Sequence, residues 1–429
     1  MRLFADTRPL RYDNFRRLWV ANIVTVIGAQ MTVVAIPAQI YHITGSSGYV
    51  GLSGIFGLVP LIVFGLWGGS LADVIDRRRL LIVSTAGLII ASTLLAVLAL
   101  MQVDNVWLLL SVFSLQQAFF GLNQPAKGAL LPTIVPLDLL PSANSLNMTV
   151  MTLGAVAGPI IGGALIPVVG YQMLYLIDAL FLATTLYAVM RLPVLVPLKQ
   201  PDTRSGFKGV IDGFRYLGTN TVVMVSLLVD VIAMVFGMPR ALFPQIATET
   251  FGGPPAGGIV FSLLFASLAA GSALAGIFSG WVSRVERQGL AVITAILVWG
   301  AAMSVFGLSL EFASHLWTAA LIVALFGLAI GGGADIISSA FRSTMLQEAA
   351  SDDMRGRMQG VFIVVVAGGP RIADVLHGTV AELTTTTIAA SGGGLLVIVL
   401  VIACALIFPT FRRYRVERGG GHHSRTPVS

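Results

Sequence analysis

Six ionisable side chains interrupt otherwise apolar runs of this 429-residue sequence, and their chemistry most needs an explanation. They are Asp178, Asp230, Arg240, Asp335, Arg371 and Asp374. If these runs cross a lipid bilayer, each charged group costs roughly 2.5–3.5 kcal/mol at the bilayer centre, so it must pair or carry a function. A carboxylate that faces a water-filled cavity can exchange a proton, because desolvation favours its neutral form and a nearby arginine favours its charged form.

Spacing and position within the runs suggest roles for four of these residues. Arg371 and Asp374 are three residues apart, so in a helix they share a face and can pair. Asp230 lies near the middle of its run, and Asp335 lies toward the end of another. We expect Asp230 to carry a coupled proton, with Asp374 and Arg371 as a coupled pair and Asp335 as a further candidate. The alternative for each is a static contact between helices.

Polar residues elsewhere in the runs are candidates for the wall of a substrate cavity. These are Asn22, Gln30, Gln116, Gln117 and Asn123, together with Arg240 near the outer end of its run. Arg240 can also reach the interface or close an outer gate. Asp178 is expected to be a static contact between helices.

Composition identifies the class of protein that holds these residues. Hydrophobic residues make up 56% of the chain, charged residues 11%, and the mean hydropathy is +0.88. A soluble domain carries about a quarter of its residues as charged side chains, so lipid must be the solvent for most of this surface. The single cysteine, Cys404, permits no intrachain disulfide, and the five histidines have no metal-ligand spacing. We therefore expect an α-helical membrane protein with no metal or cofactor.

The apolar runs predict twelve membrane-spanning helices, since one span needs about 20 apolar residues. The runs are 18–41, 49–72, 80–101, 106–131, 145–168, 172–191, 221–244, 257–282, 289–310, 316–339, 359–381 and 388–408.

Charge alternates between successive connections. One set is basic and includes Arg77–Arg79, Arg284, Arg287, Arg342, Arg355, Arg357 and both terminal segments. The other set contains no Lys or Arg and carries Asp104, Glu249, Glu311 and Glu382. The positive-inside rule places both termini in the cytoplasm, with the spans in the inner (plasma) membrane. The net charge of +6 therefore reflects topology and does not indicate nucleic-acid binding.

The longest connection divides the chain into two similar halves. We expect a six-helix bundle over 1–192, a cytoplasmic linker over 193–220, a second bundle over 221–410 and a basic tail over 411–429. The segment Phe207–Leu217 is either a short interfacial helix or a solvated linker. The halves show a weak internal repeat, in which Lys127 aligns with Arg342; duplicated halves are typical of transporters.

After the second run comes GSLADVIDRRRLL, which contains Gly69, Asp73, Arg77 and Arg78. This loop resembles the signature loop of the major facilitator superfamily, except that Asp76 stands where that family usually has glycine. The resemblance implies two six-helix bundles around a central cavity, and a loop that gates the cytoplasmic side by charge pairing. Without the glycine, the tight turn of the loop is not assured.

The fifth run contains a second motif, GAVAGPIIGG. Its residues Gly154, Gly158, Pro159, Gly162 and Gly163 resemble the motif associated with antiporters of the superfamily, which implies export. The alternative is a glycine-rich packing face without directional meaning. The fourth run lacks the central arginine of the drug antiporters, so their coupling scheme is not carried over.

Three further segments, Phe236–Pro244, Asp352–Val361 and Gly368–Gly378, resemble the branch that contains enterobactin exporters and macrolide-efflux proteins. We therefore expect a proton-coupled exporter of small amphipathic molecules, acting as a monomer in the lipid bilayer. An importer with the same fold and a transport-dead sensor are the alternatives. An ATP-driven pump is disfavoured because no P-loop sequence occurs, and an enzyme because no catalytic His or Cys cluster does.

Overall fold

The structure is a computed structural model, all of whose long elements are helices. It describes residues 6–193, 220–254, 257–349 and 355–415 together with Arg215 and Gly218, and it gives only the backbone of Asp73, Ser283, 347–349 and 355–364. The predicted interfacial segment Phe207–Leu217 lies outside the described residues apart from Arg215, so that prediction stays open.

Twelve long helices are found in the described residues, in agreement with the twelve predicted spans. The first half has α1 (Asp13–Thr44), α2 (Ser47–Val74), α3 (Arg77–Leu100), α4 (Val106–Ile134) and the stretch Leu140–Met190, which comprises α5 (140–169) and α6 (171–190). The second half has α7 (Thr221–Gly237), α8 (Ile259–Ile277), α9 (Gln288–Ser309), α10 (Trp317–Ala349), α11 (Arg355–Leu383) and α12 (Thr386–Ile407).

Ten helical stretches of the described chain are long and apolar enough to cross a membrane, and one of them, Leu137–Met190, holds two spans. Gly170 breaks this stretch with φ 75° and ψ 170°, a conformation that strains any residue with a Cβ. The stretch Thr221–Thr250 continues α7 through short turns that begin at Arg240. The helix α11, which has 29 residues, is the remaining one of the twelve long helices.

Local sequence signals explain where the helices begin and end. The side chains of Ser46, Asn105, Asn220 and Thr385 each accept a hydrogen bond from a backbone N–H in the first turn of the following helix. Gly45 closes α1 in the left-handed conformation, at φ 63°. These caps satisfy backbone groups that a helix end leaves unpaired, and they allow the very short connections between spans.

The two halves pair their helices in the same way. In the first half α1 packs on α5 and α6, α2 on α4, and α3 on α4; in the second half α7 packs on α11 and α12, α8 on α10, and α9 on α10. The main contacts between the halves are α2 with α11 and α5 with α8. Because α2 corresponds to α8 and α5 corresponds to α11, each of these two contacts is the counterpart of the other. The fold is therefore an all-helical pair of pseudo-symmetric six-helix bundles.

The bundle has two distinct ends. At one end, which we call the basic face, Arg78 donates to the Met190 carbonyl at 2.7 Å, and the Gly289 N–H donates to the Tyr414 carbonyl at 3.4 Å. The opposite end, the acidic face, carries the connections with Asp104, Glu249, Glu311 and Glu382. Both described chain ends lie at the basic face.

Candidate transport site

A buried ion pair joins the first and fourth helices of the second half. Arg342 of α10 contacts Asp230 of α7, and their side chains are 3% and 1% exposed. The other terminal nitrogen of Arg342 lies 3.8 Å from an oxygen of Asp335, whose side chain is 29% exposed. The Arg342 Nε donates to the Ser338 hydroxyl at 3.2 Å. We call Asp230, Asp335 and Arg342 the charged triad.

The position of Arg342 corrects the sequence-based prediction. The sequence pattern places Arg342 in a basic connection after a span ending at 339, whereas α10 continues to Ala349 and buries this arginine. Asp335, Ser338 and Arg342 are spaced by three and four residues, so they share one face of α10. The repeat that aligns Arg342 with Lys127 was the signal that could have placed it inside the bundle.

The triad holds two carboxylates and one guanidinium. With both carboxylates ionised the triad carries one net negative charge, and one bound proton makes it neutral. A buried charge without a partner is costly in a membrane interior, whereas a paired one is tolerated. Asp335 is the most exposed member of the triad, at 29% of its side chain.

The first half has an equivalent polar pair with a different charge. Lys127 of α4 donates through its Nζ to the side-chain oxygen of Asn22 in α1, and Asn22 is buried. No carboxylate lies within 4.0 Å of the Lys127 ammonium in the described part of the chain. Asn22 therefore accepts a hydrogen bond from a lysine that has no carboxylate partner among the described side chains. Lys127 is itself exposed.

A second charged cluster lies between the halves, nearer the acidic face. Arg371 of α11 donates to the Gln117 side-chain oxygen of α4 at 2.8 Å and to the Ala367 carbonyl at 3.3 Å. Asp374 lies 3.9 Å from Arg240, at the turn that interrupts the seventh span. Among the described side chains Arg371 and Asp374 do not come within 4.0 Å of each other, and their direct partners are Gln117 and Arg240, so the expected coupling of the two residues stays a prediction.

Close backbone packing sets the distance between the halves beside this cluster. A Cβ on Gly51 or Gly54 of α2 would clash with the backbone carbonyl of Asp374 or Arg371, and a Cβ on Gly378 would clash with that of Ser47. The glycines of α2 and α11 therefore let the two helices approach backbone to backbone.

Hydrogen bonds between the halves also lie at the acidic face. Tyr41 donates to Glu249, and the Ser46 hydroxyl donates to Glu382 at 2.7 Å. The Ser47 hydroxyl donates to the Gln245 side-chain oxygen at 2.7 Å. At the basic face no hydrogen bond or ion pair joins the halves among the described side chains. Within the described residues, the hydrogen bonds between the halves thus hold the acidic face closed.

The arginines of the signature loop form hydrogen bonds with carbonyl groups of their own half. Arg77 donates to the Ala129 carbonyl at 3.0 Å, and Arg78 to the carbonyl of Met190, the last residue of α6. Asp76 has φ −52°, so the turn needs no glycine, and its side chain caps α3 by accepting from the Arg78 N–H at 3.0 Å. Open space lies beside Gly69. The side chain of Asp73 is outside the described part, so its role in the gate stays a prediction.

The glycine motif of α5 packs mainly against α1. A Cβ on Gly154, Gly158 or Gly162 would press against Val26, Gln30 or Met31 of α1 respectively. Gly163 instead faces Ser262 of α8, across the two halves, and its carbonyl accepts from the Gly258 N–H at 2.9 Å. Pro159 is buried within α5. One face of the motif therefore holds the first half together, and its last glycine contacts the second.

Several polar residues expected on the cavity wall lie inside the first bundle instead. Gln116 is buried and donates to the Ser92 hydroxyl at 3.0 Å, and Ser92 donates to Asp178 at 2.7 Å. Asn123 donates to Ser84 at 2.9 Å and to Thr85 at 3.1 Å, both in α3. Gln116 and Asn123 are thus corrected to contacts between α3 and α4. Asp178 joins α6 to α3, and Gln30 stays a prediction.

Comparison with known proteins identifies the family. The family model described as "Transmembrane secretion effector" matches residues 5–417. The chain belongs to this family of the major facilitator superfamily. The enterobactin exporter EntS of Escherichia coli O1:K1 is 28% identical over 403 residues, which cover 94% of this chain and 93% of that protein. This major facilitator protein is therefore a multi-pass membrane transporter and not an enzyme.

Solved structures agree on the fold of this transporter. A mutant of the nucleoside transporter NupG superimposes with a TM-score of 0.75 at 13% identity, covering 92% of this chain and 100% of that one. A POT family transporter in complex with 5-aminolevulinic acid gives a TM-score of 0.72 at 13% identity, covering 93% and 97%. At such identities the similarity speaks for the fold alone.

Proposed function

We propose that this transporter exports small amphipathic molecules, such as drugs, siderophores or related metabolites, in exchange for protons. The relative named as an enterobactin exporter supports the direction of transport. The basic face lies in the cytoplasm under the positive-inside rule, so both termini are cytoplasmic. In this orientation the closed acidic face points away from the cytoplasm, and a substrate for export enters from the cytoplasmic side. We expect the transporter to work as a monomer, because a single chain contains both six-helix bundles between which a substrate would pass.

The charged triad is the observation that carries the proposal. Asp230 and Arg342 connect α7 to α10, so the charge of the triad is coupled to the contact between two cavity-lining helices. A proton that binds to Asp230 removes the ionic attraction to Arg342 and leaves Asp335 as the remaining counter-ion at 3.8 Å. Protonation therefore transfers Arg342 from one carboxylate to the other, which changes the packing of α7 on α10.

Alternating access then requires the acidic face to open. The bonds of Tyr41, Ser46 and Ser47 to the second half must break, and α2 must separate from α11. In the outward-open state the signature loop, with Gly69, Asp73, Arg77 and Arg78, approaches the second half and closes the basic face. Arg371, Asp374 and Arg240 lie where the halves separate, so their pairing changes between the two states.

Accumulation of a compound panel in an efflux-deficient host tests the proposal. Lipophilic dyes, macrolides and catecholate siderophore precursors are measured in cells that carry wild type, Asp230→Asn or Asp178→Asn, with and without a protonophore. The expected result is lower accumulation of at least one compound with wild type, lost with the protonophore and with Asp230→Asn. Asp178→Asn is the matched control, because it removes an intramembrane carboxylate that contacts Ser92 within the first half.

Two outcomes contradict the proposal. Higher accumulation with wild type than with the empty host identifies an importer and removes the directional interpretation of the α5 motif. Export that continues in Asp230→Asn, with full sensitivity to the protonophore, makes Asp230 a static helix contact. Equal protein levels and monodisperse size-exclusion profiles of the three variants exclude misfolding as the cause.

A further inference from the structure

An apolar groove lies on the outer surface of the second half, at the end near the basic face. It has a volume of about 560 Å³ and runs between α9 and α10, beside the short 3₁₀ turn Ser279–Arg284. Its wall is made almost wholly of apolar side chains, among them Trp281, Leu290, Val298 and Ile330, which are all exposed on the protein surface. Apolar side chains exposed along two membrane-spanning helices suit contact with lipid.

The mouth of the groove opens onto a cluster of arginines. Arg287 and Leu290 line the groove, and they also line an adjoining cavity with Arg412, Arg413 and Arg415. All four arginines are exposed, and no acidic side chain is among the described residues that line either cavity. The hydrogen bond from the Gly289 N–H to the Tyr414 carbonyl holds the arginines of the tail beside the start of α9.

The helix α9 adds to the positive potential at this mouth. It begins at Gln288, directly after Arg287, and it has no acidic residue in its first turn. The N–H groups of Gln288 and Gly289 donate to the carbonyls of Glu286 and Tyr414, so the contribution of α9 is the partial positive charge of its helix dipole at the N-terminus. Cationic side chains, a helix N-terminus and an apolar groove therefore meet within a few residues of one another.

We propose that this surface binds an anionic phospholipid, with its headgroup phosphate on the arginines and an acyl chain in the groove. Arginine is suited to phosphate because its planar guanidinium donates two parallel hydrogen bonds. Basic residues at the membrane surface attract anionic lipids, and a free phosphate ion would leave the apolar groove unused. A zwitterionic choline lipid brings its own cation to the arginines and is expected to bind more weakly.

The bound lipid would contact α10, the helix that carries Arg342 of the charged triad. Phe341 forms part of the groove wall and is followed in α10 by Arg342, which points from a different face of the helix toward Asp230. An acyl chain in the groove therefore supports α10 at the position of the triad. The lipid site itself does not depend on the direction of transport or on proton coupling.

Native mass spectrometry of the full-length protein in detergent tests the site with phosphatidylglycerol as the probe. Phosphatidylcholine is the comparison lipid, and inorganic phosphate is the competitor. One variant combines Arg287→Gln, Arg412→Gln and Arg413→Gln, and a second, Thr294→Trp, fills the groove at an exposed position of α9. The matched control combines Arg11→Gln, Arg16→Gln and Arg17→Gln, three exposed arginines at the start of the chain.

Wild type is expected to retain phosphatidylglycerol in preference to phosphatidylcholine. Each arginine near a lipid surface changes affinity roughly fivefold, so the groove-mouth variant should lose affinity by on the order of 100-fold. Thr294→Trp should also lose affinity, while the control triple variant keeps it and inorganic phosphate does not compete. Phosphatidylglycerol retention that is equal in both arginine variants, or unchanged in Thr294→Trp, overturns the site. Displacement by inorganic phosphate identifies a plain anion site and also overturns it.

Discussion

Arg342 in α10 forms a buried ion pair with Asp230 in α7, and the equivalent pair of the first half is Lys127 with Asn22. Both pairs connect the fourth helix of a half to its first. The second half has a carboxylate where the first has an amide, so among the described side chains Arg342 has an anionic partner and Lys127 has none within 4.0 Å. This asymmetry predicts that the two cations respond differently to the same kind of substitution.

We expect Arg342→Gln to destabilise the protein strongly. Removing one partner of a buried ion pair leaves the other charge uncompensated, which costs about 3–5 kcal/mol. The effect is measured as a lower thermal unfolding temperature in detergent. Asp230→Asn combined with Arg342→Gln should recover most of the loss, because the deeply buried carboxylate is removed as well and only Asp335, which is partly exposed, loses its counter-ion. If single and double variants unfold at the same temperature, the two residues are not coupled.

We expect Asp335→Asn to abolish proton exchange with little loss of stability. The substitution keeps the Asp230–Arg342 pair intact and removes the most exposed carboxyl group of the triad. The measurement follows the pH of a weakly buffered detergent solution when a transported compound binds. Wild type should release protons and Asp335→Asn should not. Asp104→Asn, at an exposed site of the acidic face, is the control, and an equal loss there would argue against the triad.

The helices were largely predictable because lipid imposes one simple requirement on every span. An apolar run of about 20 residues predicts a helix wherever it occurs, and short connections capped by residues such as Asn105 and Thr385 define its ends. Arg342 was missed because charge, taken alone, suggests the end of a span. Only the neighbouring α7, which supplies Asp230, makes its burial possible.

Contacts between side chains of different helices were less predictable, because they too depend on which helix lies beside which. Spacing within one helix correctly puts Arg371 and Asp374 on one face, yet their partners, Gln117 and Arg240, come from other segments. Sequence spacing reports neighbours within a helix, and it does not report which helix packs beside it. Gln116 and Gln117 illustrate this, since adjacent residues of α4 point respectively into the first half and toward the second.

We expect Gly54→Ala to favour opening of the acidic face. The added Cβ would clash with the Arg371 carbonyl, and this contact exists only while α2 lies against α11. Spin labels at Met101→Cys and Leu316→Cys, in a Cys404→Ser background, report the separation of the halves at the acidic face. A longer-distance population should become the major one. Gly276→Ala is the control, because open space surrounds that position. An unchanged distance distribution in Gly54→Ala would contradict the closed contact.

We expect Asp76→Gly to retain transport and to lose little stability. The position has φ −52°, so glycine offers no conformational advantage, and its capping bond to the Arg78 N–H is lost. Replacing a capping residue by glycine costs a few tenths of a kcal/mol, whereas alanine costs about 1 kcal/mol. Thermal unfolding of Asp76→Gly and Asp76→Ala checks this order. A larger loss in the glycine variant would mean that Asp76 does more than cap α3.

Lys127→Gln should behave in the opposite way to Arg342→Gln. Its ammonium has an amide partner, Asn22, and no carboxylate within 4.0 Å among the described side chains, so glutamine removes a charge without leaving another unpaired. The unfolding temperature should therefore stay equal or rise.

An uncompensated cation in a solvent-accessible position attracts anions, so transport of anionic compounds should fall more in Lys127→Gln than transport of cationic ones. Lys127→Arg keeps the charge and should keep this selectivity. A uniform loss for all compounds would make Lys127 a structural residue, and a fall in stability like that of Arg342→Gln would show that its charge is compensated after all.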